Sequence, residues 1–549
     1  MKVISLFSGA GGLDLGFEQE GFVPIVAIDK DQASVDTYNH NRESKIARKG
    51  DLSKLTGKDI IAMIEEQAPR VIPRGVIGGP PCQSFSQSNV HSKSSDSRHK
   101  LPFHYASILK SLNRKYYLDF FVFENVTGLK SNKHKERFEK IIKALEDAGF
   151  HVFEQVLDAS WYGVAQNRRR IFVVGINRDL YPHLKIDLPI GNVFSRKVVK
   201  DVLAGLPEPT FYRRGLSPSD ISYHPNHWTM NPKSNKFSRN NEGPQINGRS
   251  FRQLKWERPS LTIAYGHREI YVHPNGHRRL SIFESMRLQG FPDCYELLGN
   301  LSQQVNQISD AVPPPLAAAV AKAIKQAIYE PIEETQKRLL DWFSQYGRDF
   351  PWRKTSDPYA VLLAEKLLQQ TSVNTTVVEI YKDLLERYPS VESLAKADVK
   401  DLSKLIKPLG FKYRARELIN LAQSVVGEHG GRFPSELGPL IELPGVGDYI
   451  ARAVLCFAFQ KPVPIVDTNV ARLLYRLFGL PEPFPLNPAR NRRLINLASN
   501  FISEENPKDY NLAVLDFCAA ICTVSSPKCE ECPLLDLCHF GRSRIFVSC

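Results

Sequence analysis

The sequence predicts two structural classes in one chain: an α/β unit over residues 1–328 and an all-α unit over residues 333–549. Three observations predict it. Up to about residue 180, short β-rich runs alternate with amphipathic helical stretches, the pattern of a parallel sheet with crossover helices. Between about 194 and 258 the pattern dissolves into Pro, Asn, Ser and Arg. Beyond about 330, helical periodicity prevails to residue 517, punctuated by Gly and Pro, without strand-like alternation of useful length.

Composition narrows the function classes. A chain of 549 residues with 42% hydrophobic and 24% charged residues can bury several cores, so disorder is not its default. Lys plus Arg number 72 against 59 Asp plus Glu, and the net charge of +13 favours a polyanionic partner, nucleic acid ahead of a membrane surface. The longest apolar run, 312–321, holds three prolines and ends at Lys322, well short of the roughly 18 residues of a membrane helix. Met1-Lys2-Val3-Ile4-Ser5-Leu6-Phe7 mimics a weak signal peptide. Glycines and Asp14 follow at once, so it reads as a buried first strand and the protein as cytoplasmic.

Residues 3–7, 23–28, 76–77, 120–123 and 171–174 read as strands, and 136–148 as a helix. The stretch 194–258 carries twelve Lys/Arg against five Asp/Glu. It is too long for an idle loop, and it reads as a small basic recognition lobe. The boundary of the helical unit is expected near residues 329–334.

The first strand runs into Ser8-Gly9-Ala10-Gly11-Gly12-Leu13-Asp14, where glycines let the backbone turn tightly and approach a ligand at a helix mouth. Asp29, eighteen residues after Gly11, ends the second strand, where a carboxylate could accept from ribose hydroxyls; a dinucleotide fits this geometry too. Asp51 stands at a third strand end, or is an ordinary helix cap. Gly78-Gly79-Pro80-Pro81-Cys82-Gln83 holds a solitary cysteine on a stiff loop directly after a strand, where open α/β sheets place their ligands. Most solitary cysteines are buried and inert, but this setting argues for a nucleophile. Phe123-Glu124-Asn125-Val126 places a proton-donating group at another strand end, and Gln166-Asn167-Arg168-Arg169-Arg170, which leads into the strand 171–174, reads by itself as a solvated basic face.

Together these residues resemble the DNA cytosine-5 methyltransferase family over residues 1–328. Arg278-Arg279-Leu280-Ser281, Gln289-Gly290-Phe291-Pro292 and Asp310-Ala311-Val312-Pro313 continue the family's motif order. The resemblance implies a Rossmann-like methyltransferase fold with the stretch 194–258 as an inserted target-recognition lobe. It makes Cys82 the thiolate that adds to cytosine C6, with Glu124 at N3 and Arg168 and Arg170 holding ring and phosphate. S-Adenosylmethionine is expected against Phe7, Ser8, Gly9, Gly11, Gly12 and Leu13, with Asp29 on its ribose, Asp51 near the adenine, and Pro81 lining the pocket. The chain departs from the family at Ser309-Asp310, where Gly-Asn is usual, and at Ala165, where proline is usual.

In the helical half, Leu443-Pro444-Gly445-Val446-Gly447 allows a hairpin whose backbone N–H groups can hold a DNA phosphate. Asp467 follows Gly447 by twenty residues and precedes a helical run, so it is an N-cap or an acid with a chemical task. Of nine cysteines, Cys522, Cys529, Cys532 and Cys538 fall within seventeen residues. In a cytosolic chain that clustering suggests a metal centre, zinc or iron–sulfur, rather than disulfides. Cys518 is left over and is expected to pack in a helix.

Hairpin, aspartate and cysteine spacing resemble the helix-hairpin-helix DNA glycosylase superfamily, related to endonuclease III, from about residue 339 to 538. The resemblance implies that Cys522, Cys529, Cys532 and Cys538 hold a [4Fe-4S] cluster. It makes Asp467 the catalytic aspartate and puts Gly445, Val446, Gly447 and Tyr449 against DNA. Tyr449 stands where lyase members carry lysine, which implies a monofunctional glycosylase. Asp349-Phe350-Pro351-Trp352-Arg353 and Ala364-Glu365-Lys366-Leu367-Leu368-Gln369-Gln370-Thr371 resemble the mismatch adenine branch, where the glutamate protonates the leaving base and the glutamines intercalate. Thymine–guanine mismatch members share the glutamate and the tyrosine. With eleven residues after Cys538, the 8-oxoguanine-sensing domain of many adenine glycosylases is not expected.

Deaminated 5-methylcytosine leaves thymine opposite guanine, so thymine and uracil opposite guanine are favoured over adenine as the excised base. Double-stranded DNA is the implied partner. A restriction endonuclease acting on the same site is implied as a functional, not a stable, one. A competing reading makes one half a non-catalytic DNA-binding module, against which stand Cys82, Glu124, Glu365 and Asp467.

Overall fold

A computed structural model describes residues 1–81, 97–231, 252–262, 271–369, 371, 374–410 and 413–546. The chain divides into two compact units, Met1–Asp179 with Leu184–Ile328, and Tyr329–Cys549 with Leu180–His183.

In the first unit the elements run β1 (Lys2–Leu6), α1 (Gly12–Gln19), β2 (Val23–Asp29), α2 (Gln32–His40), β3 (Ala47–Lys49), α3 (Gly57–Gln67) and β4 (Gly75–Gly78). After residues outside the description come α4 (Leu101–Tyr116), β5 (Phe120–Val126), α5 (Lys135–Glu146), β6 (Phe150–Asp158), β7 (Gln166–Asn167) and β8 (Arg169–Asn177). The described strands form a seven-stranded sheet in the order β3-β2-β1-β4-β5-β8-β6. The first five are parallel, and β8 runs antiparallel to both neighbours. The chain winds one way from β1 to β2 and the other from β1 to β4, and ligands of open α/β sheets bind at the carboxyl ends of such a switch.

The strands form because β-branched and aromatic residues alternate into two buried faces: Val3, Ile4, Leu6, Val76, Ile77 and Phe120 to Phe123 are essentially inaccessible. Cross-strand pairing sets the register. Phe121 faces Gly175 on β8, and Phe120 faces Gly75 on β4. A Cβ on Gly175 would come within 1.9 Å of the Phe121 ring, so the phenylalanine fills the space that the glycine leaves. Truncating Phe121 would cost about 3–5 kcal/mol in transfer and cavity terms.

The edge strand β6 was not among the strands read from sequence, and the short β3 was expected only as the strand whose end carries Asp51. Three residues carry no alternation, and β6 mixes exposed and part-buried positions because it has one neighbour.

The stretch expected as a recognition lobe contains α6 (Val199–Leu203), β9 (Thr210–Phe211) and β10 (Trp228–Thr229); β11 (Ser260–Leu261) pairs with β7. Residues 232–251 lie outside the description. Its apolar core does not stop at 258: Val199, Leu203 and Trp228 pack with Leu280, Ile282 and Met286 of the region of α7 (Ile282–Leu288) and with Val305 and Ile308 of α8 (Leu301–Asp310). Then α9 (Pro314–Ile324) packs on α1, at a distance that Gly16 permits, since a Cβ there would meet Pro314 O at 2.4 Å.

The second unit is helical throughout its described residues. It comprises α10 (Glu330–Tyr346), α11 (Pro358–Leu368), α12 (Thr375–Arg387), α13 (Val391–Ala395), α14 (Val399–Ile406), α15 (Arg414–His429), α16 (Leu437–Glu442), α17 (Asp448–Phe457), α18 (Thr468–Phe478), α19 (Arg492–Ser499), α20 (Pro507–Ala520) and α21 (His539–Phe546). One apolar core gathers α11 to α17. A second group of contacts ties α18 to α19, α20 and α21, and α10 to α20. No helix of the described residues is long and apolar enough to cross a membrane.

Candidate active sites

The first site is built at the carboxyl ends of β1, β2, β4 and β5. The turn after β1 needs unusual backbone: Phe7, Gly9 and Gly11 have φ of 57°, 52° and 81°. A non-glycine residue in that region is strained, which points to a position held for a purpose. Asp29 locks the turn, its two oxygens accepting from Gly9 N and Asp31 N, each at 2.9 Å. Burial raises its carboxyl, and those backbone bonds pull it back. Leu13 is buried below the turn, and Ser8 Oγ is enclosed without a hydrogen-bond partner among the described residues. A Cβ on Gly9 would meet nothing within 4 Å. An open face over glycine, an unsatisfied hydroxyl and a strand-end carboxylate suit a nucleoside bearing hydroxyls, as S-adenosylmethionine does.

Asp51 follows Gly50, whose N donates to Asp29 O at 2.8 Å, and lies in an exposed turn. Ser53 N and Oγ donate to it at 3.1 and 2.7 Å, which holds its carboxyl below the ordinary value; it caps no helix.

Glu124, on β5, is buried beside Arg170, whose Nε lies 3.0 Å from Glu124 Oε1. Desolvation raises the glutamate's pKa, opposed by Arg170 and then Arg168. Gly79 makes room for it: a Cβ there would stand 2.8 Å from Glu124 Oε2. Asn125 Nδ2 donates to Pro80 O at 3.1 Å and so anchors the loop that carries Pro81 toward Cys82. Cys82 itself lies outside the described residues.

The Arg168 side chain is fully enclosed and donates to Ser309 O at 2.5 Å at the C-terminal end of α8, and both it and Arg170, which stands beside the carboxyl, pull Glu124 down. Asp310, at the C-terminal end of α8, is exposed to solvent yet lies close to Arg168, Asp29, Arg170 and Glu124, and desolvation by the surrounding protein above all pushes its carboxyl up to about 7.

The second site is a cavity of about 400 Å³ lined by Glu365 and Tyr449 on one side and Asp467, Asn469 and Leu512 on another. Asp467 is indeed an N-cap, accepting from Val470 N at 2.7 Å, and it also accepts from Asn469 Nδ2 at 2.7 Å. Capping and chemistry coexist, because the cap orients the carboxylate that faces the cavity. Glu365 is buried; desolvation raises its carboxyl to about 7, with Asp467 adding and Arg353 opposing. Tyr449 is held neutral by burial and by both carboxylates. Gln369 follows α11 at the cavity wall, and Gln370 lies outside the described residues. In the hairpin, Gly445 has φ 71°, and Val446 N donates to Leu443 O at 3.1 Å.

Cys522, Cys529, Cys532 and Cys538 surround one apolar cavity. Arg476 Nη1 donates to Cys522 Sγ at 3.3 Å and Gly541 N to Cys538 Sγ at 3.4 Å, as suits thiolate acceptors. Burial and the neighbouring thiols raise Cys532 to about 12, so the set ionises together when a polycation shares the charge. Among the described residues, no three His, Cys, Asp or Glu side chains are close enough to hold a single ion. Thiols spaced around a cavity fit a cluster better. Cys518 is buried in α20 and donates to Asn469 O at 3.4 Å.

Several supporting residues escaped the sequence reading. Arg353 makes a two-point ion pair with the buried Asp516 at 2.8 Å on each oxygen. A lone acid in the apolar run Leu512-Ala513-Val514-Leu515-Asp516-Phe517 was the available signal. Tyr295 OH donates to Ala10 O, and Arg42 pairs with Glu18 at 2.7 and 2.8 Å under the glycine turn. Their separation in sequence left no signal.

Comparison with known proteins adds three family matches. Residues 1–326 match C-5 cytosine-specific DNA methylase, residues 363–495 the HhH-GPD superfamily base excision DNA repair protein, and residues 522–538 the iron-sulfur binding domain of endonuclease III. A type II methyltransferase of Fusobacterium nucleatum is 35% identical over 370 residues, 62% of this chain and 100% of its own. A thymine/uracil-DNA glycosylase of Pyrobaculum aerophilum is 41% identical over 211 residues, 38% of this chain and 91% of its own. An adenine DNA glycosylase of Homo sapiens is 35% identical over 216 residues, 38% of this chain and 39% of its own.

Proposed function

Because the chain belongs to the C-5 cytosine-specific DNA methylase family and its second half to the HhH-GPD base excision repair superfamily, we propose that it methylates cytosine in a specific duplex sequence and excises thymine or uracil mispaired with guanine. Both halves are of enzyme families that act on DNA, and their cofactors are S-adenosylmethionine and a [4Fe-4S] cluster.

In the first half the target base leaves the duplex, as methyltransferases require. The Cys82 thiolate adds to C6, which makes C5 nucleophilic. Glu124, its carboxyl raised by burial, donates to N3, and Arg170 fixes that carboxyl in place. Arg168 is a positioning residue behind it. S-Adenosylmethionine, when bound, supplies the methyl group; Phe7, Ser8, Gly9, Gly11, Gly12, Leu13 and Asp29 would hold it, with Pro81 at the pocket's edge and Asp51 toward the adenine. The stretch 194–258 reads the sequence.

In the second half Asp467 stabilises positive charge developing on the sugar and helps water replace the base. Glu365, protonated up to about pH 7, protonates the departing base. Tyr449 cannot form a Schiff base, so excision is hydrolytic. Gly445, Val446 and Gly447 hold a phosphate, Gln369 and Gln370 meet the DNA near the lesion, and the cluster on Cys522, Cys529, Cys532 and Cys538 fixes the loop it closes. The observation that carries the reading is that Glu365, Tyr449 and Asp467 face one cavity of about 400 Å³. Marking cytosines raises the frequency of thymine opposite guanine, and the second half would repair that lesion. A restriction endonuclease sharing the site would complete the system.

The test is base release from labelled duplexes carrying thymine–guanine, uracil–guanine, adenine–guanine and adenine–8-oxoguanine pairs, with Asp467→Asn alongside. Release of thymine and uracil, lost in the variant, is expected. Release of adenine alone would favour the activity named for the human relative and overturn the coupling. Methyl transfer with and without Cys82→Ser tests the first half: equal labelling by both proteins would overturn the nucleophile assignment.

A further inference from the structure

Lys366 is a lysine in an unlikely place. Its side chain is 2% exposed, and its ammonium sits 3.1 Å from Glu417 Oε2 and 3.1 Å from Gly445 O. Enclosing an ammonium is costly unless it is paired and hydrogen-bonded, and an apolar side chain of the same length would fill the space at less cost. The charge therefore does something that packing does not.

Its neighbours indicate what. Successive side chains on a helix point about 100° apart, and α11 uses that: Glu365 lines the base cavity while Lys366 reaches the hairpin. The ammonium meets Gly445 at its φ of 71°, and a Cβ there would be 3.0 Å from Lys366 Nζ. The other face of the hairpin is open, since a Cβ on Gly447 would meet nothing within 4 Å. The first turn of α15 completes the frame. Glu417 takes Lys366. Three residues earlier, Arg414 donates to Leu367 O at 3.2 Å, to Thr371 Oγ1 at 3.3 Å and to Gln369 O. One helical turn thus ties down the end of α11 at the glutamine turn and, through Lys366, the hairpin.

We propose that Lys366, bridged to Glu417, is a positioning residue for DNA that sets the register between the phosphate-holding hairpin and the base cavity. It carries one charge beneath the turn and holds Gly445 O inward, so the hairpin meets the backbone in one conformation while Glu365 meets the base. This rests on the reading of residues 443–447 as the DNA grip.

The experiment uses the full chain and a fluorescent duplex with a non-cleavable abasic analogue opposite guanine, measured against the same duplex fully paired. Lys366→Met is expected to weaken lesion-specific binding and raise KM about tenfold while changing kcat by less than about twofold. Lys366→Arg should recover most of the affinity, and Glu417→Gln should fall between. A lysine that merely stabilises the fold would lower the melting temperature without that split between KM and kcat. Unchanged affinity in folded Lys366→Met overturns the proposal; if that variant does not fold, unchanged affinity in Glu417→Gln does so, its site being 41% exposed. Gly447→Leu, which places bulk on the open face, separates the two readings. Weakened binding there with normal binding by Lys366→Met sinks the register role alone, and normal binding by Gly447→Leu sinks the grip and the proposal with it.

Discussion

Arg170 Nε lies 3.0 Å from Glu124 Oε1, with both side chains about nine-tenths enclosed. Burial raises the glutamate and Arg170 is the first group that pulls it back. In Arg170→Met the carboxyl climbs further. A carboxyl whose folded value lies above its unfolded one binds protons more tightly when folded, so stability falls as pH rises past the ordinary 4.5. The variant should match wild type in mild acid and lose on the order of 3 kcal/mol in mild alkali. Melting curves across pH check this, and a loss independent of pH would contradict it.

Glu365 should impose an alkaline limb on base excision. Its carboxyl, raised to about 7 by burial with help from Asp467, is protonated below that pH and ionised above it. A step that needs the acid then slows about tenfold per unit above that value. Single-turnover excision between mild acid and pH 9 should show the decline, and Glu365→Gln should be slower and flat. A wild-type profile flat through 7 would remove Glu365 from proton transfer.

Asp310 carries a stability cost that an amide would not. Its folded value of about 7 stands above the ordinary 3.8 because of desolvation by the surrounding protein first, with Asp29 and Glu124 adding. The cost grows as pH rises from 3.8 and is complete above about 7. Because Asp310 is exposed and solvent screens much of that cost, Asp310→Asn should melt only about a degree higher at pH 8, with the gain shrinking as pH falls. A gain of the same size at every pH would point to packing instead.

The cysteines divide sharply. Cys522, Cys529, Cys532 and Cys538 surround one cavity, whereas Cys518 turns its thiol to Asn469 O. Alanine at any of the four should abolish bound iron and acid-labile sulfide in the purified protein. Cys518→Ala should retain both and lose on the order of 1 kcal/mol of stability. Iron retained in Cys529→Ala would break the ligand set.

Much of this was legible along the chain because the informative residues are neighbours in sequence. The glycine turn, the Asp467 cap and the spaced cysteines each lie within a short window, and local backbone rules act over such windows. Strand β6 and the extent of the lobe core were not, since an edge strand has a weak pattern and the core joins Val199 to Ile308.

Local order also shows that the chain holds an α/β half and a helical half, and which side chains have chemistry to offer. What those side chains can do was decided by folding. Burial, which depends on what the whole unit packs around a group, raises Glu124 and Glu365. Partners far apart in sequence then assign roles: Ser309 O accepts from Arg168, and Gly445 and Glu417 turn Lys366 from a helix cation into a brace. Desolvation and long-range hydrogen bonds have no counterpart in the order of residues, because they exist only once the chain has closed on itself.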